Sequence, residues 1–162
     1  MKKSGQSHGP DIEWLHELIA DWQVIADLSF ADLVLWISDG NGSFFAAGHA
    51  RPSSTATIFY RDITGNSVHS SWLTLIARAF DTGKIVDDVE VGQYQGVPAT
   101  LSAIPVFRKL NVQSGRDITP SPIAVITKHT SMVEASVPNR TRMNLTSLGD
   151  VLLRMVTQGD YP

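Results

Sequence analysis

The sequence predicts an α+β domain built on an antiparallel sheet. Three observations predict it. One helical apolar stripe opens the chain and a second closes it. Between them lie runs of β-branched and aromatic residues separated by turn signals. One of those signals, Asp39-Gly40-Asn41-Gly42, is a hairpin sequence, so the runs beside it are expected to pair antiparallel. A length of 162 residues suits one domain with a real core.

Residues 1–10 read as a flexible lead and residues 11–160 as a single domain. From Asp11, Ile12, Leu15, Leu18, Ile19, Trp22, Ile25 and Ala26 fall at offsets 0, 3, 6, 7, 10, 13 and 14, a helical period. Asp11 can cap the start, and Trp14 widens the apolar face, which suggests burial on two sides, one of them against a partner chain. Residues 31–38 read as a strand, and Ser43 to Arg51 as the returning strand, ended by Pro52-Ser53-Ser54-Thr55. Residues 56–69 read as irregular, with a turn near Thr64-Gly65-Asn66. Ser70 to Thr82 reads as a helix with Trp72, Leu75, Ile76, Ala79 and Phe80 inward and Gly83 as its stop.

Residues 100–108 alternate as a strand, where Pro105 calls for an edge position or a bulge. Residues 111–122 read as a loop and residues 123–127 as a short buried strand. After Pro138, Leu145, Leu148, Leu152, Met155 and Val156 fall at offsets 0, 3, 7, 10 and 11, a second long helix ending at Gly159. A chain that stops just after such a helix reads as a whole domain cut from something longer.

Composition excludes several functions. No cysteine means no disulfide scaffold, no thiolate metal site, no cysteine nucleophile and no thioether-linked chromophore. Thirteen basic against sixteen acidic residues, a net charge of −3, gives no support for a nucleic-acid or anionic-membrane partner. There is no apolar run of membrane-spanning length, and the basic start lacks a signal-peptide core, so a cytoplasmic protein is expected. No P-loop, nucleophile elbow, paired-carboxylate motif or zinc pattern occurs, so no catalytic residue and no metal site is expected.

The candidates for ligand contact are Arg51, Phe59, Tyr60, Trp36, His49 and Arg108. Arg51 and Arg108 end apparent strands, where a guanidinium fork can take an anionic ligand or pair with an acid such as Asp32 or Asp62. Trp36, Phe44, Phe45, Phe59, Tyr60 and Trp72 are either core or the lining of a cavity that stacks a planar ligand. Phe59 and Tyr60 stand out because they fall in the irregular segment. His49, His69 and His129 are not at metal-ligand spacing, which favours structural or surface roles, and His16 reads as an exposed helix residue.

The run Asp21-Trp22-Gln23-Val24-Ile25-Ala26-Asp27-Leu28-Ser29-Phe30-Ala31-Asp32 resembles the signature of the GAF-type N-terminal sensor domains of bacterial signal-transduction histidine kinases. Leu35-Trp36-Ile37, Ala50-Arg51-Pro52 and Arg61-Asp62-Ile63-Thr64-Gly65 follow in an order similar to the family's, and the resemblance covers roughly residues 11–160. It implies a GAF-like antiparallel sheet of five or six strands, with the N- and C-terminal helices packed together on one face and ligand-covering segments on the other. It also singles out Arg51, which belongs to one of the matching motifs.

The function this implies is a non-catalytic sensory input domain of a two-component histidine kinase. Ligand or partner state would pass through the terminal helices to downstream PAS and kinase domains, and indirectly to a response regulator. Those helices would form a homodimer interface, with Gly149 permitting close approach there. Two alternatives stand beside it: a structural homodimerisation module with a vestigial pocket, and a small cysteine-independent GAF-fold enzyme. No cofactor or ligand is identifiable from the residues.

Overall fold

The computed structural model describes residues 9–53, 57–59, 61–88, 92–94, 97–108, 121–132 and 140–161. Helix α1 spans Gly9–Ser29. It begins two residues before Asp11, because Pro10 is tolerated in a first turn, where its missing N–H has no intrahelical partner to lose. It ends at Phe30, whose φ of 50° is left-handed, and the chain turns directly into β1 (Asp32–Ser38). The hairpin to β2 (Phe44–Ala50) forms as the sequence predicts. Asp39 Oδ1 accepts the amides of Asn41 at 2.7 Å and Ser43 at 3.1 Å, and Gly40 and Gly42 take φ values of 81° and 86° that side chains resist.

After the irregular segment comes α2 (Ser70–Thr82), capped by the His69 side chain and stopped by Gly83 in the left-handed conformation. The short strands β3 (Val86–Asp87) and β4 (Gly92–Tyr94) precede the long β5 (Val97–Val106) and β6 (Ala124–Ser131). Helix α3 (Arg140–Gln158) closes the fold. The six strands form one antiparallel sheet in the order β2-β1-β6-β5-β3, with β4 also on β5. Pro105 lies beyond the last β3 partner of β5, which is Val86 opposite Ala103, so it sits where β5 is bonded by β6 alone.

The sheet separates two cores. On one face Leu33, Leu35, Ile104, Val106, Ala124 and Ile126 pack with Leu18, Trp22 and Ile25 of α1 and Leu153 and Val156 of α3. On the other, Val34, Trp36, Phe44, Ala46, Ala103 and Val125 pack with Ile58, Phe59, Ile63 and the Ile76–Ala79 side of α2. This is the GAF-like α+β arrangement the sequence implies, with both terminal helices on one face.

β6 continues past the expected end at Thr127 to Ser131, β3 and β4 are strands the sequence reading did not name, Ile12 of the α1 stripe is exposed, and two further differences bear on which side chains face which core. The register between β1 and β2 shifts between Leu35 and Trp36, so β2 carries one extra residue, Ala47. Such a bulge inverts the alternation beyond it. Phe44 and Ala46 face the α2 side, and past the bulge His49, opposite Val34, faces that side too. Gly48 then points at α1, where a Cβ would come within 3.1 Å of the Trp22 ring.

The second difference is the buried face of α3. Leu153 and Val156 are buried and Leu148 is exposed, although the apolar spacing places Leu148 inward. The physical reason is Gly149, which is buried against the end of α1. A Cβ there would meet Ser29 Oγ at 2.5 Å and the Ser29 backbone N at 3.2 Å. The close approach that Gly149 permits is therefore made within one chain, and it turns the face centred on 149, 153 and 156 inward.

Gly149→Val tests this contact. On helix propensity alone valine is better than glycine in a helix. Overpacking against Ser29 should win, lowering the unfolding free energy in urea by about 1–3 kcal/mol. A variant as stable as the parent or more so would contradict the contact.

Candidate functional site

Asp32 opens β1 and is 0% exposed. A buried carboxylate must be satisfied, and this one is satisfied by residues far apart in sequence. His49, its side chain 0% exposed, places Nε2 2.9 Å from Asp32 Oδ1. The Thr57 hydroxyl donates a short bond to the same oxygen. The Ile58 amide donates to Oδ2 at 2.9 Å. The other ring nitrogen of His49, Nδ1, accepts a long 3.5 Å bond from the Ile63 amide and lies 3.9 Å from Asp62 Oδ1. Asp32 and His49 thus pin the segment between Pro52 and His69, hereafter the strap, onto the sheet.

Beside this pair stands His129 of β6, the register partner of Asp32. Trp36 Nε1 donates to Thr127 Oγ1 at 2.7 Å, and that oxygen lies 2.7 Å from His129 Nε2. Burial pushes the His129 pKa down to about 3; the Asp32 charge opposes this and His49 reinforces it. His129 is therefore a neutral imidazole at pH 7. The Phe59 ring fits between these groups, edge to face, with centroids 4.7 Å from His49, 4.9 Å from His129 and 6.0 Å from Trp72. Trp72 closes the box at 4.9 Å from His129 and 6.2 Å from Trp36.

The start of the strap is held from the other side of the sheet by α1. Gln23 Nε2 donates to the Arg51 carbonyl at 2.6 Å and to Asp27 Oδ1 at 3.1 Å, and the same Asp27 oxygen accepts the Ser53 amide at 2.7 Å. The run from Asp21 to Asp32 is thus a set of strap contacts: Gln23, Asp27 and Asp32 bond it, and Trp22 covers Gly48 of β2.

Arg51 stands at this junction, with Nε and Nη2 buried and without a hydrogen-bond partner among the described residues. Asp62 is held below the usual carboxylate range, first by the Thr64 side chain and then by its amide, with burial opposing and His49 and Arg51 adding their charges.

Of the residues singled out from the sequence, Trp36, His49 and Phe59 come together in this cluster and Arg51 borders it. Arg108 does not join them. Its Nε bonds Asp11 Oδ1 at 2.7 Å and ties the end of β5 to the start of α1. Tyr60 lies outside the described residues. Asp32, Thr57, Thr127 and His129 complete the site. Asp32, Thr127 and His129 were polar residues in or beside apolar strand runs, with Thr127 and His129 two apart and so on one face, while Thr57, in the irregular segment, carried no such signal.

On the helix-bearing face an open groove of about 290 Å³ runs between β5, β6 and α3. Lys128 there pairs with Asp150 at 3.1 Å, Asp87 accepts the Ser102 hydroxyl at 2.6 Å, and Arg154 Nε reaches the Asp150 carbonyl at 3.5 Å. Among the described residues no three His, Asp or Glu side chains converge as metal ligands, and no described helix is long and apolar enough to cross a membrane.

The buried His129 sets a pH dependence. Its folded pKa lies below the unfolded value of 6.5, so the unfolded chain binds the extra proton and stability falls as pH falls below 6.5. Between pH 6.5 and about 3 this one group removes up to about 1.4 kcal/mol per pH unit. His129→Gln should flatten the dependence measured by urea unfolding. A slope unchanged in the variant would show that His129 is not held neutral.

A family model described as the GAF domain of histidine kinase PdtaS matches residues 1–148. The sensor histidine kinase PdtaS of Mycobacterium tuberculosis is 28% identical over 157 residues, 95% of this chain and 30% of that protein. That of Mycolicibacterium smegmatis is 25% identical over 157 residues with the same coverage. The chain thus spans 30% of the length of these relatives. A solved structure described as the sensor region of a sensor histidine kinase shares the fold, with a TM-score of 0.72 at 24% identity over 96% of this chain and 50% of that one. The chain belongs to the GAF-domain family of the histidine kinase PdtaS.

Proposed function

We propose that this GAF domain is the non-catalytic sensory input module of a cytoplasmic, homodimeric histidine kinase. A small molecule or partner state alters the site beneath the strap, and α1 and α3 carry the change to a PAS and kinase core that follows, and through it to a response regulator. One observation carries this reading. The strap is bonded on one side to the Asp32–His49 pair and on the other to Asp27 of α1, while Gln23 of α1 holds the Arg51 carbonyl just before it. A ligand that favours one strap position over another therefore biases α1 directly, as coupling between two sites requires. Arg51, whose buried Nε and Nη2 have no hydrogen-bond partner among the described residues, suits an anionic group of such a ligand.

The bonding pattern supports a role without chemistry of its own. Thr57 gives its hydroxyl to Asp32 and His49 is occupied by Asp32 and the Ile63 amide, so each is engaged in holding the strap. Homodimerisation is supported by the outer surfaces of the terminal helices. Val24 on α1 is 56% exposed, and Leu148 and Val151 on α3 are 48% and 45% exposed.

A second reading, a dimerisation module with a vestigial pocket, is favoured by the filling of the site itself. Phe59 and Trp36 are buried there, and Trp72 packs on both rings.

Because the chain has no cysteine, single cysteines report its contacts cleanly. Val151→Cys and Leu148→Cys should each give a disulfide-linked dimer on oxidation, and Thr74→Cys on exposed α2 should not. The unmodified protein should sediment as a dimer at high micromolar concentration. A monomer there, with no cross-link at either α3 position, would refute the dimeric relay.

A further inference from the structure

The residues that close the site resemble a ligand in their chemistry. Thr57 and Ile58 offer an O–H and an N–H, one to each oxygen of Asp32. The next residue supplies an aromatic ring, held edge to face by His49, His129 and Trp72. Phe59 is almost completely buried, yet its residue lies in neither helix nor strand.

Downstream, the strap is fixed by backbone bonds to β2: Gly65 and Asn66 bond both sides of Ala46, and Val68 bonds Phe44. The bonds that tie Thr57 and Ile58 to the sheet run instead to one side chain, Asp32. Phe59 N in turn donates to Thr57 Oγ1 at 3.2 Å. A pair of donors on a carboxylate plus a ring in an aromatic box is a set of contacts that a separate molecule can reproduce.

We propose that Thr57, Ile58 and Phe59 are a built-in occupant of the sensor site, displaced by a planar aromatic molecule that carries two adjacent N–H donors, such as an aryl amidine or a 2-amino-aza-heterocycle whose ring nitrogen bears a hydrogen. The proposal rests on the reading of this site as the sensing pocket and adds the ligand's chemistry. The two parallel donors replace Thr57 Oγ1–H and Ile58 N–H on Asp32, a bidentate geometry that carboxylates favour. The ring replaces Phe59 between the two imidazoles and Trp72. His49 keeps its bond to Oδ1, so the carboxylate is never left bare. With Phe59 expelled the strap moves, and Gln23 and Asp27 carry that movement to α1.

The probe is benzamidine, which joins a Phe59-sized ring to two donors, titrated against the whole chain and followed by NMR at the Trp36 and Trp72 indole N–H signals. The closed strap lowers the apparent affinity by the fraction of molecules that are open. Phe59→Ala, which removes the internal ring, should therefore bind benzamidine about tenfold more tightly than the parent or better. Acetamidine, which lacks the ring, and benzyl alcohol, which lacks the donor pair, should bind about tenfold more weakly than benzamidine. Adding Asp32→Asn should abolish the benzamidine response.

Phe59→Leu and Thr57→Val, milder changes to the ring and the donor, should shift affinity the same way, and they serve if Phe59→Ala does not fold. A folded Phe59 variant whose indole signals ignore benzamidine overturns the proposal and leaves the dimeric relay standing. Binding that does not alter Val151→Cys cross-linking upholds the occupant and refutes the relay.

Discussion

A carboxylate with no solvent contact organises this domain. Asp32 lies at the start of a central strand, and burying its charge requires donors on every side. The fold brings them from β2 and from the strap. His49 reaches it because the bulge in β2 reverses the side on which residues 48–50 point. Thr57 and Ile58 reach it because the strap folds back across that face. Without the carboxylate Thr57 and Ile58 lose their hold on the sheet, while Asp27 and the β2 backbone still bond the strap on either side of them.

The two cores are joined through the edge of the sheet as well as across it. Gln23 and Asp27 lie on the helical side, yet their bonds end on Arg51 and Ser53, where β2 runs into the strap. The same helix holds α3 through the Gly149 contact and β5 through Asp11 and Arg108. A displacement of the strap therefore meets α1 first and α3 next.

Much of the fold was legible in the sequence because it is set by local chemistry. Asp39-Gly40-Asn41-Gly42 forms the turn, His69 and Gly83 bracket α2, and the period of α1 names Leu15, Leu18, Trp22, Ile25 and Ala26 as buried, although it also names Ile12, which is exposed. The signature from Asp21 to Asp32 pointed to the family. What the sequence hid depends on long-range pairing. The strand alternation of β2 gave no warning of a one-residue bulge, so the side on which His49 lies could not be read. The apolar spacing of α3 marked Leu148 as inward because helical period does not know which face a neighbouring helix will approach, and Gly149 decided that. The partners of Asp32 are 17, 25 and 26 residues away, so no motif spacing connects them. Strands as short as β3 and β4 carry too few residues to show a period.

Amide hydrogen exchange at Ile58 tests the anchoring role of Asp32 most directly. Its N–H is buried and bonded to a side chain, not to a neighbouring strand. In the parent protein it should exchange as slowly as the core amides of β1 and β6. In Asp32→Asn it should speed up about tenfold or more while the β1 and β6 amides keep their protection. An Ile58 amide that exchanges freely in the parent, or one whose protection survives the substitution, would contradict the claim that this carboxylate holds the strap to the sheet.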